Sequence, residues 1–109
     1  MFITWTVQFL DGEVESEVEC LPSDLQAKLF RIVDMIAQFG LVAMREPYVK
    51  HLEKGLWEMR MKGRDGIARA FYVTVSGQRA VIVRVFRKKT QKTPRREIEL
   101  ALKRAEKVR

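Results

Sequence analysis

The chain has 109 residues, 47% of them apolar, and a formal net charge of +7. This length predicts one domain over residues 1–109 that is large enough to bury a core. No apolar run approaches the roughly 18 residues that a membrane span needs, and the N-terminus lacks the basic region and cleavage site of a signal peptide. The single cysteine, Cys20, excludes an intramolecular disulfide, so we expect a cytoplasmic protein with no membrane partner.

The charge is distributed unevenly between the two halves of the chain. Residues 1–53 carry four basic and nine acidic groups, a net charge of −5, whereas residues 54–109 carry seventeen basic and five acidic groups, a net charge of +12. A field of this kind suits a polyanionic partner such as nucleic acid. Lysines scattered over the surface of a basic soluble protein would give the same totals.

The chain opens with a predicted strand over residues 2–10, which alternate β-branched and aromatic side chains. Asp11-Gly12 then marks a turn. Glutamates follow at every second position, which predicts an extended segment with four carboxylates on one side. Even spacing of this kind is typical of a solvated face rather than of a metal site. The four residues are Glu13, Glu15, Glu17 and Glu19.

A helix is predicted next, with Ser23 as its N-cap, Gln26 as the third residue of a capping box and Gly40 as its end. Its apolar residues recur with helical spacing. They are Leu25, Leu29, Ile32, Val33, Ile36 and Phe39. The stretch from there to Gly55 is predicted to be irregular or briefly helical.

The second half predicts an antiparallel meander and a final helix. Strands are expected over residues 57–62, 67–75 and 80–87, separated by two turns rich in glycine. Thr93 and Pro94 are predicted to cap and open the last helix. Its expected buried stripe consists of Ile98, Ala101, Leu102, Ala105 and Val108. The order of elements predicts an α+β domain built on one twisted sheet.

The usual catalytic patterns are missing from this sequence. His51 is the only histidine and has no partner at metal-ligand spacing, and no glycine loop has the phosphate-binding pattern. Cations on the predicted strands stand out instead. Glu58, Arg60 and Lys62 share the polar face of the first strand. Arg69 shares a face with Phe71, where a buried guanidinium needs a partner or an open sheet edge. On the third strand one face carries Arg84, Phe86 and Lys88, opposite Val81, Val83 and Val85.

Cations beside an aromatic ring suit single-stranded RNA, because phosphates meet the cations and unpaired bases stack on the ring. Such a surface can also cut RNA without a metal, through attack by the 2′-hydroxyl. Arginine holds phosphate oxygens in a bidentate fork, and clustered cations lower a lysine pKa towards neutrality. A solvated, cation-rich sheet face explains the same pattern equally well.

Three segments resemble the RelE/HigB superfamily of bacterial toxins, in particular its phage-derived HigB-like branch. They are Trp57-Glu58-Met59-Arg60, Ala68-Arg69-Ala70-Phe71, and the run from Phe86 to Pro94, FRKKTQKTP. The resemblance covers roughly residues 47–105. It implies a RelE-like α+β fold, a small, twisted, mostly antiparallel sheet with helices packed on one face.

The resemblance also implies a function. Such toxins belong to type II toxin–antitoxin pairs and are ribosome-dependent mRNA endonucleases that need no metal or other cofactor. The implied partners are a cognate antitoxin, expected to be a small DNA-binding protein, together with the ribosome and mRNA; operator DNA is reached only through the antitoxin. The alternative is a non-enzymatic toxin of the same fold that inhibits gyrase or only binds RNA or antitoxin.

By this resemblance Arg60 and Arg69 stabilise the phosphate transition state, and Lys88 and Lys89 transfer protons or contact phosphate. The remaining implied contacts with RNA are Lys62, Arg64, Arg84, Phe86, Arg87 and Lys92. The later charges, including Arg95, Arg96, Lys103 and Arg104, are expected on a solvated or ribosome-facing side. The acidic residues from Glu13 to Glu19 offer a second possible face for the antitoxin.

Overall fold

A computed structural model describes residues 5–41, 44, 48–64, 66–89 and 92–108. Residues 2–4 of the predicted first strand, Asp65 of a predicted turn and residues 90–91 of the FRKKTQKTP run lie outside these ranges. Over the described residues the elements are β1 (Thr6–Phe9), α1 (Gly12–Glu19), α2 (Ser23–Phe39), β2 (Val49–His51), β3 (Trp57–Gly63), β4 (Gly66–Val75), β5 (Arg79–Lys88) and α3 (Arg95–Ala105).

The strands form one sheet in the order β1-β5-β4-β3-β2. The predicted meander is confirmed, since β3, β4 and β5 pair in antiparallel fashion, and β1 joins the edge of β5 in parallel. The short strand β2 pairs with the start of β3 and was not expected in a stretch predicted to be irregular. Three residues are too few for a strand period to be recognised in the sequence.

The predicted extended segment of glutamates is wrong, because these residues form the helix α1. The side chain of Asp11 caps it by accepting a hydrogen bond from the Val14 amide at 3.1 Å. Val14 and Val18 lie four residues apart and are buried against the sheet. Alternating glutamates satisfy a strand period, but the two valines follow the helical one, and burying them decides the structure.

Helix α2 begins and ends where predicted, but not with the predicted cap. Pro22 occupies the N-cap position without a side-chain hydrogen bond, and Gln26 donates from Nε2 to the Leu21 carbonyl oxygen at 2.8 Å. Gly40 ends the helix with a φ of 80°, which a residue with a side chain rarely adopts. The apolar stripe is buried at Leu25, Leu29, Ile32 and Ile36, partly buried at Val33 and exposed at Phe39.

Helices cover both faces of the sheet, so the prediction that they pack on one face is wrong. Successive residues of β4 separate the two cores: Tyr72 packs with α1 and α2, whereas Phe71 packs with α3. Helix α3 buries Ala101 and Ala105 on that second face. Both faces of β4 are therefore dry, which explains its nearly continuous apolar sequence.

A bulge shifts the pairing of β4 and β5 near Phe71 and Tyr72. Across it Val83 stays on the α3 face, while Val85 lies with the α1 and α2 core. The prediction that Val81, Val83 and Val85 share one face is therefore wrong, because one extra residue in β5 reverses the alternation.

Helix α3 begins at Arg95, and its predicted cap is wrong. Pro94 occupies the N-cap position without a side-chain cap, and the Thr93 hydroxyl instead donates to Glu58 Oε2 at 3.4 Å. The predicted stripe is confirmed, with Ala101 and Ala105 fully buried and the other members partly buried. Two charged residues of α3, Glu97 and Arg104, are also buried.

Candidate functional site

The strand register brings three of the predicted catalytic residues together. Arg60 on β3 lies directly opposite Arg69 on β4. On the other side of β4, Arg69 pairs with Phe86 and Ile67 with Lys88 of β5. Residues i and i+2 of one strand share a face, so Lys88 lies beside Arg69 across one diagonal. We refer to Glu58, Arg60, Arg69 and Lys88 as the basic cluster.

Glu58 holds the basic cluster together. It is only 2% exposed and lies on the same face of β3 as Arg60, whose Nε donates to Glu58 Oε1 at 3.1 Å. The other carboxylate oxygen lies 3.5 Å from Arg69 Nε and accepts from Thr93. A buried carboxylate needs such partners, because it is otherwise costly to remove from water. With three cations and one carboxylate, the basic cluster retains a positive charge that attracts anions.

Arg69 is paired but incompletely satisfied. The residue is 8% exposed, and its Nη1 donates to the Ala68 carbonyl oxygen at 3.0 Å. Its Nε has no hydrogen-bond acceptor in the described part of the chain, since Glu58 is close enough for an ion pair only. Burial lowers the pKa of Arg69, and the nearby Glu58 charge opposes this change. An unsatisfied buried donor of this kind would be met by a bound phosphate oxygen.

Lys88 is a nearly buried lysine with a shifted pKa. The residue is 6% exposed, and its pKa is lowered by burial first and then by the charge of Arg69, with Glu58 acting in the opposite direction. Lowering a lysine pKa makes the neutral amine more accessible near neutral pH. Lys89 follows the end of β5 and is exposed.

Four of the predicted RNA contacts, Lys62, Arg64, Arg87 and Lys92, are exposed. Lys62 and Arg64 lie where β3 turns into β4. There the Arg64 amide donates to Asp24 Oδ2 at 2.7 Å, across a point where a side chain on Gly63 would collide with that carboxylate. Exposure alone does not show that these four side chains contact RNA, so that contact stays a prediction.

The other two predicted RNA contacts have internal partners. Arg84 forms a bidentate pair with Glu97, at 2.8 and 3.1 Å, and a second ion pair with Glu17 at 2.7 Å. Burial alone would lower the pKa of Arg84, but Glu97 and Glu17 outweigh it and the pKa is raised. Phe86 is buried edge-on against Phe71, with ring centroids 5.2 Å apart. Neither side chain presents the free cation or ring face that the prediction requires.

A second charged group, the edge network, consists of Glu13, Glu17, Arg84, Glu97 and Arg104. Arg104 donates to Glu17 at 3.1 Å, to Glu13 at 2.7 Å and to the Val83 carbonyl oxygen at 2.9 Å. The prediction that Arg104 is solvated is therefore wrong. Glu13 and Glu17 likewise form ion pairs within the chain, although Glu13 is exposed, as are Glu15 and Glu19 of the same helix.

Sequence reasoning placed Glu58 on a polar strand face but did not assign it to the site. The available signal was its spacing, two residues before Arg60 on one strand, which puts carboxylate and guanidinium on the same face. Thr93 was missed as a contact of Glu58 because its position before a helix suggested a cap.

Two kinds of feature are missing from the part of the chain that the structure describes. No group of three histidine, cysteine, aspartate or glutamate side chains in it could hold a metal ion. None of its helices has the length and apolar character needed to cross a membrane.

The family and the fold are established by comparison with known proteins. Residues 16–106 match the family described as Phage derived protein Gp49-like. The structure is similar to one titled crystal structure of archaeal RelE-RelB complex from Pyrococcus horikoshii OT3, with a TM-score of 0.57 and 20% identity over 77% of this chain and 94% of that one. Curated protein sequences give no match. The structural likeness confirms the predicted RelE-like α+β fold, and the family match covers most of the sequence, so this chain belongs to the phage-derived Gp49-like family.

Proposed function

We propose that this chain is the toxin of a type II toxin–antitoxin pair, and that it cuts mRNA on the ribosome by metal-independent attack of the RNA 2′-hydroxyl. The observation that carries this proposal is the basic cluster, in which two arginines and a lysine of lowered pKa surround one buried carboxylate. Membership of the Gp49-like family and a fold shared with a RelE protein support it. The resemblance of the FRKKTQKTP run supports the HigB-like branch.

The basic cluster has the parts that such a cleavage needs. The 2′-hydroxyl releases its proton to water, its oxygen attacks phosphorus, and the bond from phosphorus to the 5′-oxygen breaks to leave a 2′,3′-cyclic phosphate. Arg60 and Arg69 stabilise the charge that develops on the phosphate oxygens, and the Arg69 Nε–H gains the acceptor it lacks. Lys88 donates a proton to the departing 5′-oxygen, which its lowered pKa favours.

The proposed partners follow from the same interpretation. The solved relative was crystallised as a complex of RelE with RelB. We propose that this chain likewise binds a cognate antitoxin, a small DNA-binding protein that brings the pair to operator DNA, and that the pair acts in the cytoplasm. Release from the antitoxin would allow the basic cluster to reach mRNA in the ribosome.

The test is brief induction of the chain alone, followed by mapping of mRNA 5′ ends with and without a block of translation initiation. We expect codon-phased cuts that disappear under the block. Arg69→Lys and Lys88→Ala should each reduce cutting by about 10²–10³ while circular dichroism shows an intact fold. Lys103→Ala, an exposed cation on α3, is the matched control and should cut normally.

Each contrary result has a definite meaning. Uncut mRNA during growth arrest would reject the nuclease and favour a non-enzymatic toxin, such as one that acts on gyrase. Cuts that persist under the block would reject dependence on the ribosome. Full activity in both cluster variants would show that the reaction occurs elsewhere on the molecule.

A further inference from the structure

A cleft with a volume of about 570 Å³ lies between α2 and the end of β3, and it was not anticipated from the sequence. Its volume falls in the range of roughly 300–1,000 Å³ that small-ligand sites occupy. None of the described residues that line it is acidic. They are Lys28, Arg31, Ile32, Met35, Tyr48, Arg60, Met61, Lys62, Ile67 and Arg69.

The cleft exists because β2 is shorter than β3. Strand pairing between them stops at Val49 and Met59, and one further hydrogen bond joins the Arg60 amide to the Tyr48 carbonyl oxygen at 2.8 Å. Beyond that bond, the described residues provide no strand on the edge of β3 that faces away from β4. Helix α2 packs near this open edge and contributes one wall.

The cleft and the basic cluster share Arg60 and Arg69, so the two adjoin at the open edge of β3. Helix α2 adds Lys28 and Arg31, three residues apart and therefore on the same side of the helix, and both are exposed. Lys62 is a further exposed cation on the β3 side. The charge of the cleft is thus entirely positive among its described lining residues, as a phosphate site requires.

The remaining lining is apolar or aromatic. Tyr48 is 47% exposed, and its backbone is held to Arg60, which fixes the position from which the ring reaches the cleft. Apolar side chains of α2 and of the sheet line it beside the cations. This lining matches one nucleotide, because the phosphate binds to cations and the base stacks on an aromatic ring or packs on an apolar surface.

We infer that this cleft holds a nucleotide of single-stranded RNA next to the bond that is cut, with its phosphate on Lys28 and Arg31 and its base against Tyr48. This inference rests on the proposed function, since the strand reaches the cleft from the basic cluster through Arg60 and Arg69. An acidic protein segment would also meet the cations. The RNA strand is favoured because the arginines next to the cleft are those proposed to hold the cleaved phosphate.

The probe is a fluorescein-labelled single-stranded RNA of about eight nucleotides with 2′-O-methyl riboses, which cannot be cut. Fluorescence anisotropy at several salt concentrations gives its Kd and the salt dependence of binding. We expect the double variant K28A/R31A to weaken binding about tenfold and to reduce the slope of log K against log salt by about 1.4, near 0.7 for each lost phosphate contact.

The matched control is K103A/K107A, which removes two exposed cations from the far C-terminal end. We expect it to leave both Kd and the salt slope close to those of the unaltered chain. For the ring, Tyr48→Ala should weaken binding about tenfold, whereas Tyr48→Phe, which retains the aromatic face, should bind normally. Thermal unfolding of each variant verifies that the fold is retained.

The inference is overturned if the unaltered chain does not bind the probe, or if K28A/R31A and K103A/K107A bind it equally. It is also overturned if polyglutamate binds with the same dependence on Lys28 and Arg31 while the RNA does not, which would assign the cleft to an acidic protein segment. Cleft-dependent binding without mRNA cutting in cells would reject the nuclease and retain the cleft. If K28A/R31A cuts mRNA normally and binds the probe as well as the unaltered chain does, the nuclease would be retained and the role of the cleft rejected.

Discussion

Glu58 determines how the cations around it are arranged. Its carboxylate is almost fully buried and has Arg60 on one oxygen and Arg69 and Thr93 on the other. Without it, two arginines on adjacent strands would lie opposite each other with no compensating charge, which is destabilising. The carboxylate thus makes a dense positive site compatible with a folded sheet, while leaving an excess of positive charge for the substrate.

Lys88 should cost the protein stability at neutral pH. Because burial and Arg69 lower its pKa below the ordinary 10.5, the unfolded chain binds more protons than the folded one between the lowered pKa and 10.5. The contribution of Lys88 to the free energy of unfolding therefore rises with pH across that window. Below the window the folded state bears the full cost of a buried ammonium.

We accordingly expect Lys88→Met to raise the free energy of unfolding at pH 7 by roughly 0.5–2 kcal/mol while activity is lost. The difference from the unaltered chain should narrow when the pH is raised to 10. Urea unfolding at both pH values measures it. Lys103→Met, on an exposed lysine, should show no such change with pH. A less stable Lys88→Met protein at pH 7 would contradict the expectation.

At the scale of elements, part of the β5 edge forms its backbone hydrogen bonds with side chains instead of with a neighbouring strand. Its pairing with β1 ends at Ile82. Beyond that point Glu17 of α1 accepts a hydrogen bond from the Val85 amide at 3.0 Å, and Arg104 of α3 donates to the Val83 carbonyl oxygen. Buried backbone groups need such partners, and here two helices supply them from opposite faces of the sheet. The edge network thereby joins α1 and α3 to one strand.

We expect Arg104→Met to lower the free energy of unfolding by about 2–3 kcal/mol, because it removes the buried side-chain donor to the Val83 carbonyl oxygen and one of the two arginines paired with Glu17. Methionine retains most of the apolar stem, so the loss reports on the charge. Glu13→Gln should cost less than about 1 kcal/mol, since Glu13 is 68% exposed and its pair is screened by water. Urea unfolding of both variants provides the comparison. If both variants lost the same free energy of unfolding, the burial of Arg104 would not account for the contribution of the edge network to stability.

At the scale of the whole molecule, two cores share one sheet. β4 and β5 contribute side chains to both, with Tyr72 and Ile82 on the side of α2 and Phe71 and Val83 on the side of α3. Unfolding of either helical layer alone would expose one apolar face of these central strands. The large apolar area that would be exposed on each face favours cooperative unfolding.

We therefore expect a single unfolding transition. Tryptophan fluorescence, which reports on Trp5 and Trp57 beside the α2 core, should give the same urea midpoint as far-UV circular dichroism. Amide exchange of Ala101 in α3 should report the same free energy of opening as Ile32 in α2. Loss of α3 at lower urea than α2 would show instead that the second core folds separately.

The charge imbalance of the sequence is partly neutralised in the fold. Two carboxylates of the acidic first half, Glu13 and Glu17, form ion pairs with the arginines of β5 and α3. The arginines in these ion pairs are Arg84 and Arg104, both from the basic second half. Among the cations that these pairs leave over are those of the basic cluster and the neighbouring cleft.

The sequence by itself determined the elements whose signals are local. Alternation over residues 57–62 and the glycine-rich turns predict the meander, the helical period predicts α2 and α3, and Gly40 marks a helix end. The family resemblance, also read from short segments, places Arg60, Arg69 and Lys88 together. Each of these signals lies within a few residues of the feature it predicts.

Only the tertiary structure decided how the remaining charged and aromatic residues are used. The partner of Arg84 on α1 is 67 positions away, and the carboxylate partners of Arg104 are 87 and 91 positions away. Phe86 is buried against Phe71 of the next strand. Glutamates at every second position are compatible with a strand or a helix, and the helix is selected because it buries Val14 and Val18 in the core. The physical reason is that burial and ion pairing depend on which distant surfaces meet, and no local pattern contains that information.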